Sequence, residues 1–429
     1  MTLRKIKLGE VLRRVKNLVE IENDKEYKLV TVKMHHKGVT LRNITKGSEL
    51  GSKKMHSVKS GEFILSGIDA RHGAFGIIPS ELEGAVVTND FWCLEFDESV
   101  IDKHLFLKLT STSFFDDLCK KASDGTTNRV RLQAEKFYNL EIDLPSVDEQ
   151  KEIIEGFLKV ENYNNQITTE LSHQLELVRQ LRQAFLREAM QGKLVKANWS
   201  EDAEQNKIQN KKVKRISFDD RVFSELKLNI NAPNNWQIEP LAIIASEIVD
   251  CPHSTPKWTN SGKICVRTNQ FRPGKLDFSD CRYVSDETYL KRIERLEPLE
   301  NDILYSREGG ILGIACRVPK NIQLCLGQRM MIIRAGKQID SAFLEMALNS
   351  PLITEIAELK TLGGAAPRIN VATIKAYPIP LPPLAEQKRI VEKLEKLMKY
   401  CDQLEANIRE SKKNAESLLQ VALKEALAG

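Results

Sequence analysis

Apolar residues repeat at heptad spacing along two long stretches of the chain. Within each stretch the intervals alternate between four and three residues, which is typical of a helix packed along one side against another helix. The first stripe is Ile153, Phe157, Val160, Ile167, Leu171, Val178, Leu181 and Phe185. The second is Ile390, Leu394, Leu397, Leu404, Ile408, Ala415, Leu418 and Ala422. The pattern predicts two rods of about 65 Å whose stripes form the seam of a helix pair.

Capping signals mark where these helices begin. Ser146 followed three residues later by Glu149 forms a capping box, and Pro383 at the matching place suits a first helical turn. Gly192 is expected to end the first helix, because glycine commonly caps a helix C-terminus. The helices are therefore predicted over residues 147–192 and 383–429.

The two helices belong to an internal repeat. The segment LPSVDEQK at 144–151 matches LPPLAEQK at 381–388, an offset of 237 residues that continues without a gap, for example at Tyr163/Tyr400. A pseudo-twofold relation between the two copies predicts antiparallel pairing of the helices. Some seam positions are polar or small and favour one register. They are Asn164, Gln174, Cys401 and Ser411.

A globular block precedes each helix. Short strand-like runs such as Phe63–Ser66 and Ile303–Tyr305, separated by Gly and Pro turns, predict mixed α/β domains over residues 1–146 and 233–382. Residues 193–232 are polar and predict a solvated linker. The expected fold class is α+β, with two mixed α/β domains separated by two long antiparallel coiled-coil helices.

Composition narrows the class of protein. The chain is 41% hydrophobic and has no apolar run of the roughly 18–20 residues that a membrane span needs. Its eight cysteines include no C-x-x-C pair, so neither a zinc knuckle nor a redox motif is indicated, and a cytoplasmic protein is expected. The net charge of +5 is modest, but residues 31–60 contain one acid and residues 251–276 contain none. Each half of the chain thus carries one basic stretch.

These basic stretches supply candidate DNA contacts, because Arg and Lys match guanine edges while Asn and Gln match adenine. In the first domain the candidates are Lys33, His35, His36, Lys37, Arg42 and Asn43, with Arg71 and His72 secondary. In the second they are His253, Ser254, Thr255, Lys257, Trp258, Arg267, Asn269, Gln270 and Arg272. Arg129 and Arg368, in equivalent glycine-containing loops, suit backbone positioning or a salt bridge.

Other interpretations of these residues stay open. Each candidate could be a solvated surface residue or a phosphate contact, and Trp258 could belong to a core. His35 and His36 could suggest a metal, but no third ligand is near in sequence, so no metal is expected. The run Lys211–Arg215 in the linker could touch phosphate.

The duplicated L-P-x-x-x-E-Q opening resembles the specificity subunit of type I restriction–modification enzymes. The most specific segments are LPPLAEQKRIV at 381–391 and GGAAPRIN at 363–370, supported by NWQIEPL at 235–241. The resemblance implies two target-recognition domains that read a bipartite, asymmetric DNA site. It also implies helices that set the spacing between half-sites and dock the methyltransferase subunits, two of them by expectation.

The resemblance places the chemistry on partner subunits. Methyltransferase subunits use S-adenosylmethionine, and restriction subunits use ATP and Mg²⁺, so no cofactor and no catalytic residue are expected on this chain. No N-P-P-Y motif, P-loop or H-E-x-x-H is present. Alternatives are a specificity subunit of a methylation-only system, a coiled-coil scaffold that binds only protein, and a nuclease or methyltransferase.

Overall fold

The computed structural model of the chain describes residues 3–110, 113–124, 130–196, 216–227, 230–364 and 367–428. The chain divides into two compact units. Unit 1 comprises residues 1–170 and 411–429, and unit 2 comprises residues 171–410. Each unit therefore contains one predicted block and part of both long helices.

Short strands dominate the block in unit 1. They are β1 (Arg4–Lys7), β2 (Leu12–Val15), β3 (Asn17–Glu20), β4 (Glu26–Val32), β5 (Val39–Lys46), β6 (Lys54–Ser57), β7 (Phe63–Ser66), β8 (Phe75–Ile77), β9 (Val86–Val87), β10 (Phe91–Phe96), β11 (Ser123–Asp124), β12 (Arg131–Leu132) and β13 (Glu141–Leu144). One sheet has the order β2-β10-β7-β8 and another β3-β6-β9-β4-β5. β1 pairs with β13, and β11 pairs with β12.

Four short helices cover the first of these sheets. They are α1 (Leu8–Val11), α2 (Lys103–Thr110), α3 (Ser113–Lys121) and α4 (Ala134–Tyr138). The core beneath them is an aromatic cluster in which the rings of Phe63 and Phe75 both meet that of Phe115 edge to face, with centroids 6.2 and 5.1 Å apart. Such pairs stabilise a core beyond the area they bury.

The block in unit 2 is also built from short strands and short helices. Its strands are β14 (Gln237–Pro240), β15 (Ala245–Asp250), β16 (Trp258–Thr259), β17 (Lys263–Val266), β18 (Phe271–Arg272), β19 (Lys275–Leu276), β20 (Tyr283–Val284), β21 (Ile303–Ser306), β22 (Ala315–Arg317), β23 (Leu324–Leu326), β24 (Met330–Ala335), β25 (Thr361–Leu362), β26 (Arg368–Ile369) and β27 (Pro378–Leu381). The short helices of unit 2 are α6 (Asp220–Lys227), α7 (Leu241–Ile244), α8 (Asp286–Ile293), α9 (Ser341–Leu348), α10 (Pro351–Leu359) and α11 (Val371–Lys375). The two long helices are α5 (Val147–Met190) and α12 (Leu384–Ala428), of which residues 171–190 and 384–410 lie in unit 2.

The internal repeat is confirmed at the level of topology. The sheet β15-β24-β21-β22 of unit 2 has the same order as β2-β10-β7-β8 of unit 1. The ladders β14-β27 and β25-β26 likewise match β1-β13 and β11-β12. The second sheets differ, because unit 2 has β16-β20-β17-β23 where unit 1 has five strands. A common scaffold therefore carries a different inserted sheet in each unit.

Both long helices are present and run antiparallel within each unit. α5 has 44 residues and α12 has 45. In unit 2, Leu186 near the end of α5 shares a core with Ile390 and Leu394 near the start of α12. In unit 1, Phe157 near the start of α5 packs with Leu419 near the end of α12. The predicted fold class is confirmed.

The predicted seam is partly wrong in register. Phe157, Val178, Ile390 and Leu394 are buried, and seven further members are half-buried, namely Ile153, Leu171, Phe185, Leu397, Ile408, Ala415 and Ala422. The other five are exposed: Val160 at 42%, Ile167 at 50%, Leu181 at 37%, Leu404 at 46% and Leu418 at 65%.

Polar residues one position later turn inward instead. In unit 2, Arg182 donates to Glu405 at 3.1 Å and approaches Asp402 at 2.8 Å. An Arg at such a position keeps its guanidinium partly solvated while its stem packs along the partner helix. The ion pair therefore selects a register that counting apolar residues does not predict.

The predicted linker differs from expectation where the structure describes it. α6 lies inside residues 193–232, and its Val222, Phe223 and Leu226 pack against the core of unit 2, as do Leu194 and Val195. The polar composition of the segment hides this short amphipathic helix. The run Lys211–Arg215 lies outside the described residues.

Neither long helix, nor any shorter one in the described ranges, combines the length and apolar character of a membrane span.

Candidate nucleic-acid interface

A strained loop carries the first group of candidates in unit 1. His35 and His36 both have positive φ, at 59° and 56°, and Gly38 follows at 76°. Such a backbone costs about 1–2 kcal/mol for each non-glycine residue, so the surroundings must hold it in place. Lys33 and Lys37 flank it with exposed side chains, and no carboxylate of the described residues lies within ion-pair distance of either.

A neighbouring turn holds this loop from behind. The backbone N–H of His35 donates to the carbonyl of His72 at 2.8 Å, and that of His36 donates to the carbonyl of Gly73 at 3.0 Å. Arg71 lies on the same turn, and its Nε donates to His72 Nε2 at 3.0 Å. The structure thus brings the two basic segments predicted for this domain, 33–37 and 71–72, onto one surface.

His36 has an internal role that the sequence did not indicate. Its ring stacks on Phe75 with centroids 5.3 Å apart, and its Nε2 lies 3.0 Å from Asp116 Oδ1. Gly73 leaves the space for the ring, because a Cβ there would lie 2.3 Å from His36 Cδ2. His36 therefore anchors the loop, while His35 is the histidine that projects from it.

Arg42 and Asn43 lie on β5, the strand that leaves this loop. The register between β4 and β5 shifts at Leu29/Val30, so Arg42 is the extra residue of a β-bulge. Its exposed side chain borders a cavity of about 290 Å³ that Leu29, Val87 and other apolar side chains line. Asn43 is also exposed, and its amide donates to Thr45 Oγ1 at 2.6 Å. A β-bulge leaves its extra residue unpaired and changes the direction of its side chain, here that of Arg42 between β4 and β5.

In unit 2 the segment 252–257 presents the second group of candidates. His253, Ser254, Thr255 and Lys257 are exposed. The backbone of this segment is held by Arg292, a buried guanidinium that donates to the carbonyls of Ser254 at 3.1 Å, Pro252 at 3.0 Å and Leu326 at 2.5 Å, and also to that of Gly327. With its carbonyls turned inward, the segment directs its side chains outward.

An acidic residue fixes the start of the same segment. Asp250 forms a two-point ion pair with the buried Arg307, at 2.9 and 2.7 Å, and its Oδ2 lies 3.2 Å from His253 Nε2. Arg307 also donates to the carbonyl of Ile369 at 3.5 Å. Arg292 and Arg307 had no signal in the sequence, because each lies far along the chain from the loop that it supports.

Other predicted contacts of unit 2 are engaged within the protein. Arg267 pairs with Asp280 at 2.6 Å, and Arg272 pairs with Asp277 at 3.2 Å. Gln270 corrects the expectation, because it is only 2% exposed and its amide oxygen accepts from the backbone of Arg267 at 2.8 Å. In this conformation Gln270 supports a turn and has no face free for a base.

The remaining candidates are spread around these segments. Asn269 is exposed. Trp258 is half-buried, with Arg282 over its ring at 5.4 Å. Arg368 is exposed on β26, where its backbone bridges to Glu308. Arg129 lies outside the described residues.

Two buried thiols, Cys93 and Cys316, are held in their protonated form. Burial raises the pKa of Cys93 and of Cys316 to about 12, so neither thiol is ionised near neutral pH. Within the described ranges, no three His, Cys, Asp or Glu side chains come together as a metal ion would need. What the geometry offers is exposed donors on loops that the core holds in place.

Each long helix also carries exposed apolar side chains. Residues related by the repeat are exposed in both copies: Tyr163 and Tyr400 at 64% each, Ile167 at 50% and Leu404 at 46%. One member of each pair lies in unit 1 and the other in unit 2. Exposed aromatic and aliphatic side chains that recur at equivalent positions are typical of protein-binding surfaces.

Comparison with known proteins identifies this architecture. The family model described as "Type I restriction modification DNA specificity domain" matches residues 3–177 and 256–412. The EcoKI specificity subunit of Escherichia coli K12 is 23% identical over 339 residues, or 77% of this chain and 66% of that protein. The EcoBI specificity subunit of Escherichia coli is 25% identical over 67% of this chain and 58% of its own length. The chain thus spans somewhat less than two thirds of these relatives.

Solved structures agree on the fold. The HsdS subunit from Thermoanaerobacter tengcongensis superposes with a TM-score of 0.51 over 100% of this chain and 97% of that chain, at 16% identity. A chain from a structure of a type I R-M system, described as bearing on complex assembly and conformational transition, gives 0.58 over 99% and 97%, at 18% identity.

Proposed function

Because this chain belongs to the family of type I restriction–modification DNA specificity domains, we propose that it is the DNA-recognition subunit of a type I restriction–modification complex. Residues 1–146 and 233–382 are its two target-recognition domains. The proposal rests on one observation made in both units. An exposed loop that carries lysine and histidine is held in place by contacts with the core of its unit. Because such loops are already ordered before DNA binds, they lose little conformational entropy when their donors contact base edges.

The two domains read different half-sites. They share the four-stranded scaffold but differ in the second sheet, which has five strands in unit 1 and four in unit 2. The candidate loops also follow different strands, β4 in unit 1 and β15 in unit 2. Different readers on a repeated scaffold suit a bipartite, asymmetric target.

The long helices space the readers and bind the catalytic partners. With 44 and 45 residues they are long enough to set the number of unspecified base pairs between half-sites. The repeat-related exposed side chains at Tyr163/Tyr400 and Ile167/Leu404 provide two equivalent docking surfaces, which suits two methyltransferase subunits.

Catalysis resides on the partners. Methyltransferase subunits supply S-adenosylmethionine-dependent methylation of adenine, and restriction subunits supply ATP- and Mg²⁺-dependent cleavage, so this chain needs no cofactor of its own. The modest net charge of +5 suits a protein whose partner subunits supply further contacts with the phosphates of the DNA backbone.

Mapping methylated adenines tests the proposal. Cells that express the partner methyltransferase are sequenced for adenine methylation with and without this chain, and a bipartite motif is expected only in its presence. The double variant Lys33→Ala/Lys37→Ala should relax one half of that motif, and His253→Ala/Lys257→Ala the other. Lys5→Ala, which removes an exposed lysine of β1, is the control.

Two results would contradict this function. One is an unchanged methylation pattern when the chain is deleted. The other is methyl transfer or DNA cleavage by the isolated chain, which would move catalysis onto it. A chain that recruits partners but never alters the motif would be a protein-binding scaffold.

A further inference from the structure

Four segments of unit 2 meet at the turn Gln328–Arg329. The carbonyl of Arg329 accepts from the backbone N–H groups of Arg307 at 3.0 Å and Glu308 at 3.3 Å. The side-chain amide of Gln328 donates to the carbonyl of His253. One residue beyond Glu308, the N–H of Gly309 donates to the carbonyl of Pro367 at 2.8 Å. The turn therefore lies between the segment 252–257 and the loop that carries Arg368.

Arg329 occupies this turn in a conformation that its type disfavours. Its φ is 71°, in the left-handed region that glycine adopts at little cost. A long side chain at positive φ is uncommon, and such strain is retained where the surrounding structure or a function demands it. The hydrogen bonds to its carbonyl use only the backbone, so they do not account for an arginine side chain.

The side chain of Arg329 is exposed. Arg267, Arg272 and Arg307 all pair with carboxylates, at 2.6, 3.2 and 2.7 Å. No carboxylate in the described part of the chain lies within that range of Arg329. Nη1 of Arg329 lies beside Gly309, and a Cβ added to residue 309 would be 3.3 Å from this nitrogen. Glycine at 309 thus leaves room for the fork of donors above the surface.

We propose that Arg329 is a base-reading residue of the second domain and contacts a guanine edge in the half-site which that domain recognises. The proposal rests on the proposed function. The fork of an arginine matches the two acceptors of guanine in the major groove. The turn that carries Arg329 is hydrogen-bonded to the segment of exposed His253 and, through Glu308 and Gly309, to the segment of exposed Arg368. The sequence did not point to it, because Gly327-Gln328-Arg329 contains no basic run.

The test uses the chain assembled with its methyltransferase subunits and two duplexes. One duplex carries the mapped site, and the other carries the same site with the second half scrambled. Arg329→Gly and Arg329→Ala should both weaken binding to the mapped duplex by about 5- to 150-fold and leave binding to the scrambled duplex unchanged. Arg329→Lys should recover only part of the loss, because a point charge lacks the fork.

Arg329→Gly separates this role from a structural one. Glycine relieves the positive φ, so that variant should have a thermal midpoint equal to or above that of the wild type while it loses affinity. If Arg329 serves only the structure of the turn, Arg329→Gly should be more stable than the wild type and bind the mapped duplex with unchanged affinity. That result would overturn the proposal. Lys337→Ala is the matched control, because it removes an exposed charge just beyond the opposite end of β24.

The remaining outcomes are distinct. Equal loss on both duplexes, with a shallower salt dependence, would make Arg329 a phosphate contact and overturn the assignment to a base. If the wild-type complex itself fails to distinguish the two duplexes, the proposed function fails. If it distinguishes them and Arg329→Ala does so equally well, only this inference fails.

Discussion

The side-chain oxygen of Gln387 accepts a hydrogen bond of 2.8 Å from the backbone N–H of Asp340. The amide of Gln387 also donates to the carbonyls of Gln338 and Pro382, at 3.1 and 2.8 Å. Gln150 makes the equivalent three bonds in unit 1, to Asp102, Val100 and Pro145. Both glutamines are fully buried. The repeated glutamine therefore joins the start of each long helix to the N-terminus of the short helix that follows Asp102 or Asp340.

Removing this junction should destabilise the domain to which it belongs. Gln387→Ala leaves buried backbone groups without partners, at a cost of about 2–4 kcal/mol in the free energy of unfolding. Urea denaturation followed by circular dichroism measures the loss, and hydrogen exchange at Asp340 should accelerate. Gln403→Ala, on the exposed side of the same helix, should change stability by less than about 0.5 kcal/mol. Equal effects of the two substitutions would refute the role of the junction.

Local signals explain how much of the fold the sequence could predict. The capping box at Ser146 and the apolar periodicity after it lie within one segment, so the long helices were predictable from local signals. Their antiparallel pairing followed from the internal repeat at an offset of 237 residues. The register of the seam was not, because the contact between Arg182 and Glu405 joins residues more than 200 positions apart. The same limit applies to the site. The exposed loops were visible as acid-poor stretches, whereas the buried arginines that hold them were not.

Stability should fall as pH rises because of Glu62. Its side chain is buried, Oε2 accepts from the backbone of Lys59 at 2.9 Å, and Oε1 has no partner among the described residues. Burial raises the pKa of this carboxyl above its usual value. A group that holds its proton more tightly when folded favours the folded state at low pH, and that advantage is lost as pH rises through the folded pKa.

Glu62→Gln removes the charge and keeps the acceptor, so it should be more stable than the wild type at pH 8. The difference should shrink toward pH 5. Unfolding in urea at the two pH values measures it, with Glu98→Gln, an exposed carboxyl, as control. A pH-independent difference between Glu62→Gln and the wild type would contradict this origin.

The ring of His36, which anchors the loop of His35 and His36, should be sensitive to one methyl group added at residue 73. Gly73→Ala places a Cβ 2.3 Å from His36 Cδ2 and strains a φ of 73°, so the ring must leave Phe75 and Asp116. We expect a loss of about 1–3 kcal/mol in stability and weaker discrimination of the first half-site. Gly84→Ala is a close control, because φ there is 72° but nothing lies within 4 Å of the added atom. Equal discrimination by both variants would exclude the anchor from DNA recognition.

The repeat-related tyrosines should each serve one methyltransferase subunit. Tyr163→Ala and Tyr400→Ala remove side chains that are 64% exposed, so the free energy of unfolding should change by less than about 0.5 kcal/mol. Aromatic residues at the centre of an interface contribute about 2 kcal/mol or more, so each substitution should weaken one of the two docking events by at least about tenfold.

Native mass spectrometry at limiting concentration measures the stoichiometry directly. Either single variant should retain one methyltransferase subunit, and the double variant should retain none. Gln166→Ala and Gln403→Ala, which are exposed, related by the same repeat and three residues beyond each tyrosine, should still assemble with two. Because the two surfaces lie in different units, loss of both partners from one single substitution would show that the surfaces do not act independently. Full assembly of the double variant would place the docking surface elsewhere on the chain.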